Sequence, residues 1–197
     1  MIRKGHSRSL MIAIGGMSGC GKTTLAAGLA EKLPGSVVLD ADVIRKQIHG
    51  VAPSTPLPDS AYTPESHAKF IQHIHKLAAT QLRKGRNVIV TGTFLDNDTR
   101  RGQQELAEKC HADFTGIYLD APLKILYDRV ARRKDSPSDA DQEVVRKQVR
   151  KSITGQRGLH WHIIRADLPQ DDVLRNAVRV VCRDMQWYRA RGQQPGM

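Results

Sequence analysis

Residues Gly16-Met17-Ser18-Gly19-Cys20-Gly21-Lys22-Thr23 follow the pattern G-x-x-x-x-G-K-[ST], a spacing that lets a backbone loop close around phosphate oxygens. The glycines allow the chain to turn its N–H groups inward, and a helix starting at Lys22 would aim the positive end of its dipole at the same point. In that cradle the residues Gly16 to Thr24 hold a phosphate tail. Lys22 reaches the β- and γ-phosphates and the Thr23 hydroxyl holds Mg²⁺. The flanks agree with this reading, because the apolar run Leu10 to Ile14 supplies a buried strand before the loop and Thr24 to Leu33 a helix after it.

A second group, Asp40-Ala41-Asp42-Val43-Ile44-Arg45, follows the next apolar run. In an open α/β sheet ligands gather beyond the carboxyl ends of strands, so a carboxylate here faces the phosphate loop. Asp42 is placed to take the proton of an acceptor hydroxyl, and Arg45, one turn on, to bind the acceptor or an acidic group on it. Asp42 also suits an N-cap for a helix beginning at Val43, a role compatible with the first. Asp40 reads as a strand-end group in the outer shell of Mg²⁺. Phosphoryl transfer further calls for cations that close over the migrating group. Arg129, Arg132 and Arg133 lie near a helix end, before the hinge-like stretch Lys134 to Asp139, and Arg129 and Arg133 share a helical face. The alternative for them is a cationic helix terminus that complements the dipole. The pairs His73 with His75 and His160 with His162 lack a third ligand, so no transition metal is expected.

These groups need a parallel sheet with crossover helices, and the chain alternates apolar runs with periodic segments in that manner. Strands are expected at Met11 to Ile14, Val37 to Leu39, Val88 to Val90, Phe114 to Leu119 and Ile163 to Arg165. Helices are expected at Thr23 to Leu33, Val43 to His49, Pro64 to Lys84, Thr99 to Cys110, Leu123 to Arg133, Asp141 to Ile153 and Asp171 to Tyr188. The irregular stretch 50–63 carries Pro53, Pro56 and Pro58 and reads as a substrate-side loop. Its flank offers Tyr62, Glu65 and His67 to a polar acceptor. At 197 residues the whole chain, 1–197, fits one domain, with a basic tail at 1–9 and a flexible tail at 189–197. The net charge of +11 favours polyanions without choosing between nucleotide and nucleic acid. Three scattered cysteines, Cys20, Cys110 and Cys182, argue against a disulfide framework, and the expectation is a cytoplasmic protein with no membrane span.

Together the loop Gly16 to Thr24, Asp42 with Arg45, the strand Gly85 to Val90 followed by Thr93-Phe94-Leu95, and Arg129, Arg132 and Arg133 followed by Ser138-Asp139-Ala140 resemble the zeta-toxin and gluconate-kinase-like group of P-loop kinases. Within that group the chain is similar to the AAA-type ATP-binding domain that is joined, in many bacteria, to an aminoglycoside-phosphotransferase-like domain. The resemblance implies a three-layer P-loop NTPase fold: a five-stranded, mostly parallel sheet, helices on both faces and an Arg-bearing lid at 129–141. It also implies ATP and Mg²⁺, an acceptor contact at Thr93, adenine against Ala166 to Pro169, and a separate phosphotransferase-like protein as a partner. The chain departs from the pattern at Thr91, where the group usually ends its third strand with Asp. Asp40 or Asp96 would have to supply that charge. The expected activity is transfer of the γ-phosphate to a hydroxyl of a small molecule, such as a sugar, an aminoglycoside-like compound, a nucleoside or a nucleotide sugar. Two alternatives stand: a polynucleotide 5′-hydroxyl kinase, favoured by the charge and by Arg175, Arg179 and Arg183 on the last helix, and a non-catalytic nucleotide-binding switch, favoured by Thr91.

Overall fold

The apolar runs become five strands that run as near-continuous hydrophobic segments, because helices cover the sheet on both sides. In the computed structural model, which describes residues 8–52, 54–132, 138–152 and 161–192, these are β1 (Leu10–Gly16), β2 (Val37–Asp40), β3 (Val88–Thr91), β4 (Asp113–Asp120) and β5 (Trp161–Arg165). All are parallel, in the order β2-β3-β1-β4-β5. The helices are α1 (Lys22–Lys32), α2 (Ala41–Ile48), α3 (Pro64–Arg83), α4 (Asn97–Lys109), α5 (Leu123–Ala131), α6 (Gln142–Ser152) and α7 (Gln170–Gly192). A single 3₁₀ turn, Asp59–Tyr62, sits in the stretch expected to be a loop.

Period-two alternation in β1 divides the core between the two faces. Leu10, Ile12 and Ile14 pack with Leu25 and Leu29 of α1, Leu126 of α5, Val145 of α6 and Val173, Ala177 and Val181 of α7. Met11 and Ala13 point the other way, to Ile44 of α2, Phe70, Ile74 and Ala78 of α3 and Ala107 of α4. The chain is therefore three layers deep. Central β1 lies between β3 and β4, so the chain leaves its carboxyl end at the switch point where α/β sheets open a crevice.

Several boundaries differ from expectation for local reasons. Helix α2 begins at Ala41 rather than Val43, because Asp40, not Asp42, is its N-cap and accepts the amides of Asp42 and Val43 at 3.0 and 3.2 Å. Helix α4 begins at Asn97 because Asp96 caps it, accepting from the Thr99 amide at 2.8 Å. Helix α5 ends at Ala131, short of Arg133. Helix α7 continues through Gly192, past the end expected at Tyr188, and the rest of the tail expected at 189–197 lies outside the described residues. At the other end Ser9 is already fixed: its hydroxyl donates to the Leu82 carbonyl at 3.2 Å and its carbonyl accepts from Asp113 at 2.9 Å. Among the described residues no helix is long and apolar enough to cross a membrane.

Trp161, at the start of the edge strand β5, shows why β4 carries a glycine. A Cβ on Gly116 would lie 2.6 Å from the indole ring, which is itself wedged edge-on against Phe94 with ring centroids 5.6 Å apart. Gly116→Ala is expected to cost about 1–3 kcal/mol through this overpacking. Chemical denaturation checks it: the midpoint should fall with the slope unchanged.

Candidate active site

The turn leaving β1 has the backbone of a phosphate cradle. Gly16, Gly19 and Gly21 take φ values of 140°, 87° and 91°, a region that residues with a Cβ avoid. At Gly16 space is also closed, since a Cβ would meet Cys20 Sγ and the Leu119 carbonyl at 2.6 Å. Helix α1 starts with no side-chain cap and no acidic residue in its first turn. Its leading N–H groups and its dipole are thus left for an anion. Lys22 folds back over the loop, its Nζ donating to the carbonyls of Gly16 (2.9 Å) and Met17 (3.1 Å). Both partners are neutral, so the ammonium charge remains for a ligand. Lys22→Ala is expected to weaken ADP binding roughly 10- to 150-fold, the equivalent of about 1.5–3 kcal/mol for hydrogen bonds to a charged group, as calorimetric titration would read.

Asp40, at the end of β2, is the hub of the site. Its Oδ2 accepts the hydroxyls of Thr23 (2.9 Å) and Thr91 (3.0 Å), while Oδ1 caps α2. Strand register causes this, because Asp40 lies directly opposite Thr91 in the β2–β3 pair. The carboxylate absent from position 91 therefore stands one strand away, and Thr91, 2% exposed, turns its hydroxyl toward it. Asp96 does not share the task, being committed to α4. A hydroxyl and one carboxylate form a hard oxygen set that suits Mg²⁺, which takes few protein ligands and completes its shell with water and substrate phosphates. No cluster of three His, Cys, Asp or Glu able to hold a metal ion occurs among the described residues.

Asp42 and Arg45 stand on α2, the helix that leaves β2. Burial pushes the Asp42 carboxyl up from its ordinary range, against the opposing pull of Lys22, a hydrogen bond with Ser138 and Arg45, while Asp40 adds to the rise. The carboxylate thus lies within electrostatic reach of the lysine that heads the cradle. Arg45, 8% exposed, donates to the Ala61 carbonyl at 3.0 Å, meets His67 Nδ1 at 3.2 Å and lies 4.0 Å from the Phe70 ring centroid. Burial lowers its pKa, with Tyr62 and Asp42 opposing that pull. A desolvated guanidinium with neutral hydrogen-bond partners is a receptor for an acidic or strongly polar group.

Of the arginines expected on a lid, Arg129 reaches the cradle from α5, its Nη1 approaching the Gly19 carbonyl at 3.4 Å. Arg132 is exposed at the C-cap of α5, and Arg133 lies outside the described residues, as does most of the stretch that follows it. Thr93 is at the rim: its carbonyl accepts from the Gly16 amide at 3.1 Å. Asp167, in the segment expected to meet adenine, pairs with Arg165 at 2.6 Å.

Three contributors have no short-range signal in the sequence. Gln148 of α6 accepts from the Ser18 amide at 2.8 Å and donates to the Ser18 hydroxyl at 3.0 Å, across 130 positions. Lys46, 2% exposed, pairs with Asp139 at 2.7 Å. Asp139 also receives the Leu57 amide (3.0 Å) and the Tyr62 hydroxyl (3.1 Å). Those hydrogen bonds outweigh the effect of burial and hold its carboxyl below the usual range. Burial first, then the charge of Asp139 and its hydrogen bond with the phenol, carry Tyr62 up to about 12.

The chain is 30% identical over 143 residues to an uncharacterized protein of Mycobacterium tuberculosis, a match that covers 71% of this chain and 28% of that protein. It thus spans little more than a quarter of that relative's length. It is 31% identical over 152 residues to a probable adenylyl-sulfate kinase of Pyrococcus abyssi, covering 74% of this chain and 75% of the other. Among solved structures, a gluconokinase from Sinorhizobium meliloti superposes with a TM-score of 0.69 at 17% identity, over 94% of this chain and 99% of that one. Residues 11–152 match the AAA domain family, so the chain belongs to that family, and its fold is that of the P-loop kinases.

Proposed function

We propose that the chain is an ATP- and Mg²⁺-dependent kinase that phosphorylates a hydroxyl group of a small molecule. The observation that carries this reading is Asp42, half-buried and within electrostatic reach of both Lys22 and Arg45. A nucleotide-binding switch has no use for a carboxylate there. Asp42 accepts a hydrogen bond from the acceptor hydroxyl and takes its proton as the oxygen attacks the γ-phosphorus. Burial, by raising its pKa, makes it a stronger base than an ordinary carboxylate. Lys22 and Arg129 would face the charge on the migrating group, the loop amides would hold the phosphate tail, and Thr23 with Asp40 would hold the metal. Bound Mg²⁺ would supply charge neutralisation across the β- and γ-phosphates.

Arg45, with His67 beside it, gives the acceptor side a cationic and hydrogen-bonding wall, which fits a sugar, an aminoglycoside-like compound, a nucleoside or a nucleotide sugar. Polynucleotide 5′-phosphorylation has less support. Two arginines of the α7 stripe are tied to the protein itself, Arg175 to Asp172 at 2.7 Å and Arg183 to His162 at 3.0 Å. Aromatic residues are only 5% of the chain, which leaves little to stack bases on. The three free cysteines support a reducing, cytoplasmic setting. ATP consumption measured across sugars, antibiotics, nucleosides and 5′-hydroxyl oligonucleotides tests the reading. Stimulation by a small hydroxyl compound supports it, and stimulation by oligonucleotides alone replaces it with the nucleic-acid one.

A further inference from the structure

The phosphate loop turns on glycines at positive φ, and glycine-rich chain loses the most freedom when it is fixed. Such a loop binds tightly only where the fold holds it in shape before a ligand arrives. At its start the Gly16 amide is held by the Thr93 carbonyl at 3.1 Å. In its middle the holding group is Gln148 of α6, whose Oε1 accepts the Ser18 amide at 2.8 Å and whose Nε2 donates to the Ser18 hydroxyl at 3.0 Å. Gln148 stands on a fixed base. Asp141 caps the start of α6 by accepting the Val144 amide at 2.8 Å, and Val145 is wholly buried in the core. Just before that cap, Asp139 is bound to Lys46 of α2 at 2.7 Å, to the Leu57 amide at 3.0 Å and to the Tyr62 hydroxyl at 3.1 Å.

The Ser18 amide belongs to the same peptide unit as the Met17 carbonyl, and that carbonyl accepts from Lys22 Nζ at 3.1 Å and from the Cys20 amide at 3.2 Å. A trans peptide is planar, with its N–H and C=O directed to opposite sides. Gln148 therefore fixes, from the side of α6, the one peptide plane whose other edge receives Lys22. Ser18 is 6% exposed, so an amide released by Gln148 is satisfied only if the peptide rotates. Rotation carries the Met17 carbonyl away from the ammonium. We propose that Gln148 is a positioning residue for nucleotide binding, which orients the peptide between Met17 and Ser18 and, through it, Lys22. The inference rests on the nucleotide-binding part of the kinase reading above. It makes α6, a helix with no phosphate-binding signature of its own, part of the nucleotide site.

The test is calorimetric titration of ADP into wild type, Gln148→Met, Lys22→Ala and the double variant, with an unfolding curve for each. Methionine matches glutamine in length and helix propensity and removes both hydrogen bonds. Gln148→Met is expected to weaken ADP binding roughly 10-fold, the effect of one buried donor left without its acceptor in the bound loop. In the Lys22→Ala background the same change should weaken binding by less than about threefold, because its effect passes through the missing ammonium. A residue that only stabilises the fold gives a lower unfolding midpoint with unaltered affinity, or the same factor in both backgrounds. Either result overturns the proposal. Gln148→Asn, whose amide ends one carbon short of Ser18, should repeat the loss, and it replaces the methionine variant should that one not fold. Wild type that binds ADP while both Gln148 variants match it overturns the positioning role and leaves the kinase reading standing. Wild type that binds no ADP overturns both.

Discussion

Asp42→Asn is expected to lower phosphoryl transfer about 10²- to 10⁴-fold, the contribution of a well-placed general base, while ADP affinity stays at the wild-type level. The same change should make the protein more stable at neutral pH. Burial raises the pKa of Asp42 in the folded state, so the ionised carboxylate is less welcome in the fold than in the unfolded chain. That cost is present once pH exceeds the folded pKa and vanishes as pH falls below about 4, where the group is protonated in both states. The neutral amide has no such cost, and each kcal/mol relieved raises the melting temperature by roughly 2–4 °C in a chain of this size. The paired measurement is demanding: slower transfer with higher stability at pH 7, and a stability difference that shrinks on acidification. Transfer at the wild-type rate would remove Asp42 from the base position, and a joint loss of transfer and ADP binding would make it a structural residue.

What the sequence revealed and what it concealed divide along the range of the interactions. The phosphate loop was legible because a contiguous octapeptide determines it: three left-handed glycines and a helix start are local facts. The strands were legible because a parallel sheet covered on both faces demands unbroken apolar runs. Asp40-Ala41-Asp42 was misread at its start because either aspartate satisfies the local preference for an N-cap. The choice goes with β3, whose register sets Thr91 against Asp40 while the other oxygen of Asp40 takes the amides of Asp42 and Val43. The same pairing explains how a threonine can stand where the resemblance calls for an acid. Gln148 and Asp139 were invisible as site residues for a stronger reason. Their partners Ser18 and Lys46 lie 130 and 93 positions away, and a glutamine within a helix or an aspartate shortly before one is locally indistinguishable from a solvated one. Periodicity also carried α5 too far and α7 not far enough, since termini are decided by a few tenths of a kcal/mol per residue.

Asp40 should show the largest combined effect on fold and site, and two substitutions separate the parts. Asp40→Ala removes the N-cap of α2, worth about 0.5–2 kcal/mol, and leaves the buried Thr91 hydroxyl without its acceptor, a further cost of roughly 1–3 kcal/mol. Both losses pass through one carboxylate, so they are not strictly additive, and a total near 2–4 kcal/mol is expected from chemical denaturation. Asp40→Asn keeps an amide oxygen that caps as well as a carboxylate does, so most of that stability should return. The charge does not return. If Asp40 orders the water shell of Mg²⁺ together with Thr23, the asparagine variant should need about 10- to 100-fold more Mg²⁺ for half-maximal activity, the usual loss when a group supporting a metal site is removed. An unchanged Mg²⁺ requirement in a well-folded Asp40→Asn protein would reduce Asp40 to a helix cap. The loss of acid at position 91 would then have no compensation in the neighbouring strand, and turnover would rest on Thr23 and substrate phosphates alone.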